Sequence, residues 1–82
     1  MRLPRDVSGD ELARRLARLG YAVTRQTGSH LRLTRRTERG EHHLTIPRHP
    51  ALRVGTLGNV LRDVAGHLGM NREELLDKLF GA

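Results

Sequence analysis

Residues 21–47 read YAVTRQTGSHLRLTRRTERGEHHLTIP, and their alternation decides the fold. Apolar side chains recur at every second position in three short runs: Tyr21 and Val23, Leu31 and Leu33, then Leu44 and Ile46. A period of two is typical of strands that bury one face. The segment therefore predicts three short antiparallel strands arranged as a meander.

The turns set the register, because neighbouring strands pair residues that lie on the same face. We expect a four-residue loop over 37–40 in the second hairpin, and a three-residue loop over 26–28 with Gly28 left-handed in the first. The predicted pairs are Arg36 with Glu41, Leu33 with Leu44, Leu31 with Ile46, Arg25 with Ser29, Val23 with Leu31, and Tyr21 with Leu33.

This register places His30 on the polar face of the central strand, opposite Thr24 and Pro47. A neutral imidazole near physiological pH can take a proton from a ribose 2′-hydroxyl, which makes His30 a candidate general base. A strand histidine that only bonds backbone groups near a turn remains the alternative. The polar face also carries Arg32, Thr34, His43 and Thr45.

Four neighbours of His30 are candidates for binding phosphate or supporting a transition state: Ser29, Arg32, Arg48 and His49. An arginine can bind phosphate oxygens through two parallel hydrogen bonds. A loop histidine such as His49 can protonate a leaving oxygen or contact a phosphate. Each of these side chains also has an ordinary interpretation as a solvated surface group.

Composition narrows the partner and the chemistry. The 82 residues carry a formal net charge of +6, mostly from arginine. This charge suits a polyanionic partner such as nucleic acid, but charge alone is equally consistent with arginines on a solvated surface. The absence of cysteine excludes disulfides and thiolate zinc sites. Tyr21 and Phe80 are the only aromatic residues besides histidine, so base readout by stacking is not expected.

A metal site and a cofactor are not predicted. His42 and His43 are adjacent in a strand, so they point to opposite faces and cannot ligate one ion together without distortion. Gly55 and Thr56, entering a helix, can present backbone N–H groups to a phosphate, but plain capping explains them equally well.

Helices flank the strands. Ser8 and Glu11 have the spacing of a capping box and begin a helix over 9–19 that Gly20 ends. We expect Thr56 to cap a second helix over the sheet's apolar face, and Asn71 with Glu74 to begin a short third one. The fold class is α+β in the order α-β-β-β-α-α. A single domain over 1–82 in the cytoplasm is expected, since no apolar run reaches bilayer length.

Four motifs recur together at a characteristic spacing: Gly20-Tyr21, Gly28-Ser29-His30, the IPRHP of residues 46–50, and Gly55-Thr56-Leu57 followed by Val60-Leu61. In that order the chain, from about Ser8 to Leu76, resembles the HicA (YcfA-like) mRNA interferase toxins of bacterial toxin–antitoxin systems. It differs from them in its extended carboxyl terminus and in lacking the lysines usual around the second helix.

The resemblance implies a double-stranded-RNA-binding-domain-like fold, with helices on one face of a three-stranded antiparallel sheet plus the extra C-terminal helix. It also implies metal-independent, ribosome-independent cleavage of mRNA with His30 as the catalytic histidine, and inhibition by a HicB-like antitoxin that covers the site. A non-catalytic double-stranded-RNA-binding module of the same fold is the alternative. A scaffold whose arginines bind an acidic partner is a third possibility.

Overall fold

The computed structural model describes residues 3–81, so residues 1, 2 and 82 of the predicted domain lie outside it. Its elements are α1 (Gly9–Ala17), β1 (Ala22–Thr27), β2 (His30–Thr37), β3 (Gly40–Pro47), α2 (Val54–Leu68) and α3 (Arg72–Phe80). The strands form one antiparallel sheet in the order β1-β2-β3. The predicted element order is confirmed. None of the helices in this range is both long and apolar enough to traverse a bilayer.

Helix α1 forms where the spacing of its leucines predicts it. The Ser8 hydroxyl accepts a hydrogen bond from the Glu11 N–H at 3.0 Å, and Leu12 and Leu16 are fully buried. The Glu11 carboxylate does not complete the capping box but accepts from Arg15 Nε at 2.9 Å. The helix ends at Ala17, two residues before the predicted end, and Gly20 reverses the chain at a φ of +95°.

The register of the second hairpin is confirmed. Leu31 pairs with Ile46, Leu33 pairs with Leu44, and all four side chains are buried. The turn is tighter than expected, because Thr37 still pairs with Gly40 and only residues 38 and 39 turn. Apolar pairs on one face thus set β2 against β3 as the alternation predicts.

The register predicted for the first hairpin is wrong. A two-residue turn at Gly28 and Ser29 pairs Thr27 with His30, so Thr24 does not lie opposite His30. The remaining pairs of this hairpin are Gln26 with Leu31, Arg25 with Arg32, Val23 with Leu33 and Ala22 with Thr34.

A β-bulge at Thr24 reconciles this tight turn with the rest of the strand. The turn places β1 one residue out of phase with Tyr21, and the extra residue between Val23 and Arg25 restores the phase. Tyr21 can therefore remain buried in the core, 2% exposed. The Thr24 hydroxyl bonds the Thr34 hydroxyl at 2.8 Å.

Val23 was expected in the core and is 50% exposed. It lies on an edge strand and lines an open groove between β1 and α1, together with Ala13 and Ala17. Small side chains on this side of α1 leave Val23 without a covering partner.

The start of α2 also differs from expectation. The helix begins at Val54, with Arg53 in the cap position and no side-chain capping bond, so Thr56 lies inside the first turn. Leu52 is buried, and its N–H donates to the Val7 carbonyl at 2.7 Å. This tertiary anchor fixes the chain immediately before the helix, which overrides the local preference for a threonine cap.

Helix α3 is part of the core. Asn71 and Glu74 form the predicted capping box, and Leu75, Leu76 and Leu79 are buried. From α1, the Arg15 guanidinium donates to the Leu79 carbonyl at 2.7 Å and lies 4.7 Å from the centre of the Phe80 ring. Helix α3 therefore packs against α1, and the Arg15 side chain of α1 caps the last turn of α3.

Replacing Leu75 with alanine tests this role of α3. We expect Leu75→Ala to lower the free energy of unfolding by about 2–5 kcal/mol, because it leaves a cavity in a fully buried site. The exposed Lys78 of the same helix provides the control, and Lys78→Ala should change stability by less than about 0.5 kcal/mol. Urea denaturation measures both, and equal effects of the two substitutions would contradict a core role for α3.

Candidate functional site

His30 is the first residue of β2 and lies on the face of the sheet that the helices leave open, called here the outer face. The neighbouring Leu31 and Leu33 point into the core, so alternation directs His30 and Arg32 outward. Both are exposed, and His30 pairs across the sheet with Thr27 and Pro47. The outer face carries Arg25, Thr27, His30, Arg32, Thr34, Arg36, Glu41, His43, Thr45 and Pro47.

Three chain segments meet at the end of the sheet that holds His30. The Arg48 N–H donates to the Ser29 carbonyl at 2.6 Å, and the Gly9 N–H donates to the His49 carbonyl at 3.0 Å. Gly9 must be a glycine here, because an added Cβ would overlap the Pro47 carbonyl oxygen and lie 3.1 Å from Arg48 Cα. The start of β2, the end of β3 and the start of α1 are thus held in close contact.

The guanidinium of Arg48 is engaged with the protein. Its Nε and Nη2 donate to the two oxygens of Asp10 at 2.9 and 3.1 Å, a bidentate ion pair. The hydrogen bond from Arg48 holds the pKa of Asp10 below its ordinary value, and Asp10 in turn raises the pKa of Arg48. Arg48 thus joins β3 to α1, and its charge is balanced by a carboxylate.

Arg32 and His49 are differently placed. Arg32 lies two residues from His30 on the same face of β2, about 7 Å along the strand. No carboxylate within residues 3–81 pairs with its guanidinium. The side chain of His49 is exposed in the loop after β3, while its backbone is tied to α1. Ser29 contributes its carbonyl to Arg48 and exposes its side chain.

A chain of hydrogen bonds crosses the outer face further along the strands. The Thr34 hydroxyl contacts His43 Nδ1 at 2.9 Å and the Thr24 hydroxyl at 2.8 Å, and His43 Nε2 lies 3.5 Å from Glu41. Thr34 is only 5% exposed, so these bonds satisfy a buried hydroxyl. The sequence placed Thr34 and His43 on this face but did not indicate their contact.

Comparison with known proteins decides the family. A family model described as the HicA toxin of bacterial toxin–antitoxin systems matches residues 9–65. The chain belongs to the HicA toxin family. No curated protein and no solved structure gives a significant match. The match includes α1, the whole sheet and most of α2, so it contains His30 and its neighbours and leaves α3 outside.

A second histidine cluster of this HicA chain lies on the opposite, helix-covered side of the sheet. The Tyr21 hydroxyl contacts His42 Nδ1 at 2.7 Å, and His42 Nε2 contacts Asp63 of α2 at 3.2 Å. The ring of His67 stacks on His42 with centroids 4.2 Å apart. His67 Nε2 lies 3.4 Å from Arg35 Nη1. Sequence reasoning missed this cluster, although the correct register of β3 places His42 inward, in line with Leu44.

The hydrogen-bond partners restrict which ring nitrogens carry hydrogen. Arginine only donates, so His67 Nε2 accepts from Arg35 and the imidazole is neutral. The Asp63 carboxylate only accepts, so His42 Nε2 carries the hydrogen of that contact. Burial raises the pKa of Tyr21 to about 12, and burial, then His42, then Arg35 lower the pKa of His67.

His42 and His43 lie on opposite faces as predicted. Across residues 3–81, no three histidine, aspartate or glutamate side chains converge in the way that metal ligands do. His30 lies apart from both histidine clusters, on the outer face at the junction of β2, β3 and α1.

A Cβ at Gly9 should separate the three segments at that junction. We expect Gly9→Ala to lower the free energy of unfolding by about 1–3 kcal/mol, because Pro47 and Arg48 must move away from α1. Gly66 in α2 is the matched control, since an added Cβ there meets open space. Gly66→Ala should stabilise by about 0.5–1 kcal/mol. Denaturant unfolding measures both, and a neutral Gly9→Ala would contradict the close approach.

The stability of the fold should fall in mild acid through His67. Its pKa is lower in the folded chain than the ordinary 6.5, so the unfolded chain binds the proton more readily. The contribution of neutral His67 is complete above pH 6.5 and is lost progressively as the pH falls below that value. We expect His67→Gln to flatten the fall in stability between about pH 7 and about pH 5. Unfolding curves at several pH values test this, and an unchanged slope would contradict it.

Proposed function

We propose that this HicA-family chain is an mRNA endoribonuclease that uses His30 as its general base. The observation that carries the proposal is the position of His30. Its exposed imidazole lies on the outer face of the family-matched sheet, where Ser29, Arg48 and Gly9 hold three segments together through backbone contacts. A rigid junction of this kind is what a general base needs, because proton transfer requires a positioned group.

The chemistry follows from an imidazole beside a ribose. Neutral His30 takes the proton of a 2′-hydroxyl, and the resulting oxyanion attacks the adjacent phosphorus. The bond from phosphorus to the 5′ oxygen breaks, leaving a 2′,3′-cyclic phosphate on one fragment and, after protonation, a 5′-hydroxyl on the other. The reaction needs no metal and no cofactor, and its nucleophile belongs to the RNA itself.

Neighbouring side chains supply charge and a proton. The guanidinium of Arg32, which has no carboxylate partner within residues 3–81, is available to the phosphate from the same face of β2. His49 is the candidate acid for the leaving 5′ oxygen, since its exposed side chain lies in the loop that follows Pro47. Arg48 has a different role in this scheme, because its guanidinium is committed to Asp10 and orients the loop.

A toxin of this family functions with an antitoxin, and we infer that the partner of this chain is a HicB-like protein. Such a partner inhibits most directly by covering the outer face around His30, which no helix of residues 3–81 occupies. The expected compartment is the cytoplasm, where mRNA is translated.

Cleavage by purified protein in excess chelator tests the proposal. We expect His30→Ala to reduce the cleavage rate by about 10²–10⁴-fold, the usual contribution of a general base. His43→Gln is the matched control, because His43 lies on the same face but pairs with Thr34, about 13 Å further along the strands. It should retain activity, since glutamine can keep the hydrogen bond to Thr34.

Other outcomes are informative. Full activity of His30→Ala would exclude His30 as the base, and loss of wild-type activity on chelation would exclude the metal-free scheme. Tight, salt-sensitive binding of duplex RNA without cleavage would favour the non-catalytic double-stranded-RNA-binding module.

A further inference from the structure

Two arginines face each other on the outer face beside His30. Arg25 of β1 and Arg32 of β2 are direct cross-strand partners, and both are exposed. Directly opposed residues have Cβ atoms about 4.5–5.5 Å apart, so the two side chains project from adjacent points of the sheet. Neither guanidinium has a hydrogen-bond or carboxylate partner among residues 3–81.

This arrangement opposes folding. Like charges directly opposite each other in a sheet repel, and nothing in the described chain offsets the repulsion. Arg36, further along the same face of β2, shows the contrast, because the Glu41 carboxylate lies 2.7 Å from its Nε. The pair of Arg25 and Arg32 is therefore a local concentration of uncompensated positive charge beside His30.

The turn before β2 and a bulge in β1 together place Arg25 opposite Arg32. With a regular strand and a three-residue loop, Arg25 would lie opposite Ser29, on the helix-covered side. The two-residue turn at Gly28 and Ser29 directs Arg25 outward, and the bulge at Thr24 absorbs the change of phase. Bulges that re-aim a side chain are frequent next to active sites.

We propose that Arg25 and Arg32 form a two-arginine clamp that binds one phosphate of the RNA backbone beside His30. Each planar guanidinium can donate two hydrogen bonds to phosphate oxygens, and a phosphodiester removes the repulsion between the two cations. Only the identity of the polyanion as RNA rests on the proposed function. The clamp contacts substrate, and Arg25 is a substrate-binding residue that alternation alone would place on the wrong face.

RNA binding measures the clamp without interference from cleavage. In the His30→Ala background, we expect Arg25→Gln and Arg32→Gln each to weaken binding of a single-stranded RNA by about 10- to 100-fold. The double substitution should weaken binding by less than the product of the two, because both side chains serve one phosphate. Arg62 lies on the exposed surface of α2, and Arg62→Gln controls for the loss of one charge.

Inorganic phosphate tests the clamp independently of RNA. In chloride, Arg25→Gln should raise the melting temperature by about 2–4 °C, because the repulsion is removed. Phosphate also stabilises folded proteins in general, because it is excluded from their surface. Replacing chloride with phosphate at constant ionic strength should therefore raise the melting temperature of the wild type more than that of the double variant, which keeps only this general effect.

The outcomes separate this inference from the proposed function. Equal stabilisation of the wild type and the double variant by phosphate would overturn the clamp even if His30 cleaves RNA. The clamp would also be overturned if Arg25→Gln and Arg32→Gln each weakened RNA binding no more than Arg62→Gln does and their effects were additive. A larger stabilisation by phosphate in chains that keep both arginines would support the clamp even if no cleavage were found.

Discussion

The pairing of Leu31 and Leu33 with Ile46 and Leu44 is the constraint on which the rest of the molecule depends. These four buried side chains hold β2 against β3 in one register. A shift by one residue would exchange the two faces of the sheet and expose the core. Because the leucines point toward the helices, His30 and Arg32 must point away from them. The position of the candidate base is thus a consequence of core packing.

Much of this arrangement could be predicted from the sequence, and the failures have physical causes. The β2–β3 hairpin is fixed by apolar pairs that alternation reveals, so its register was correct. The register of the β1–β2 hairpin depends on a bulge at Thr24. An alternating sequence pattern cannot predict this bulge, because the bulge itself interrupts the alternation. The cap at Asn71 is a local interaction and was found, whereas the start of α2 depends on the distant contact of Leu52 with Val7 and was missed.

In the candidate site, too, some features could be predicted from the sequence and others could not. The location of His30 on the outer face depends on strand parity and was predictable. The commitment of Arg48 to Asp10 joins residues 38 positions apart, and spacing alone carries no information about it. The cluster of Tyr21, His42 and Asp63 requires both the true register of β3 and the packing of α2. Only the first of these was available from alternation.

The contacts of the arginines change the meaning of the net charge. Arg15, Arg35 and Arg48 each donate to a carbonyl or carboxylate in a distant part of the chain and so stabilise the fold. These three guanidinium groups are therefore engaged within the protein and do not contribute free positive charge for binding RNA. Arg25 and Arg32 stabilise no described contact, and the sheet brings them together despite their repulsion. Natural proteins tolerate destabilising local arrangements chiefly where function requires them. The directly opposed pair of Arg25 and Arg32, rather than the total of +6, is therefore the electrostatic feature on which the proposal of a phosphate-bearing substrate rests.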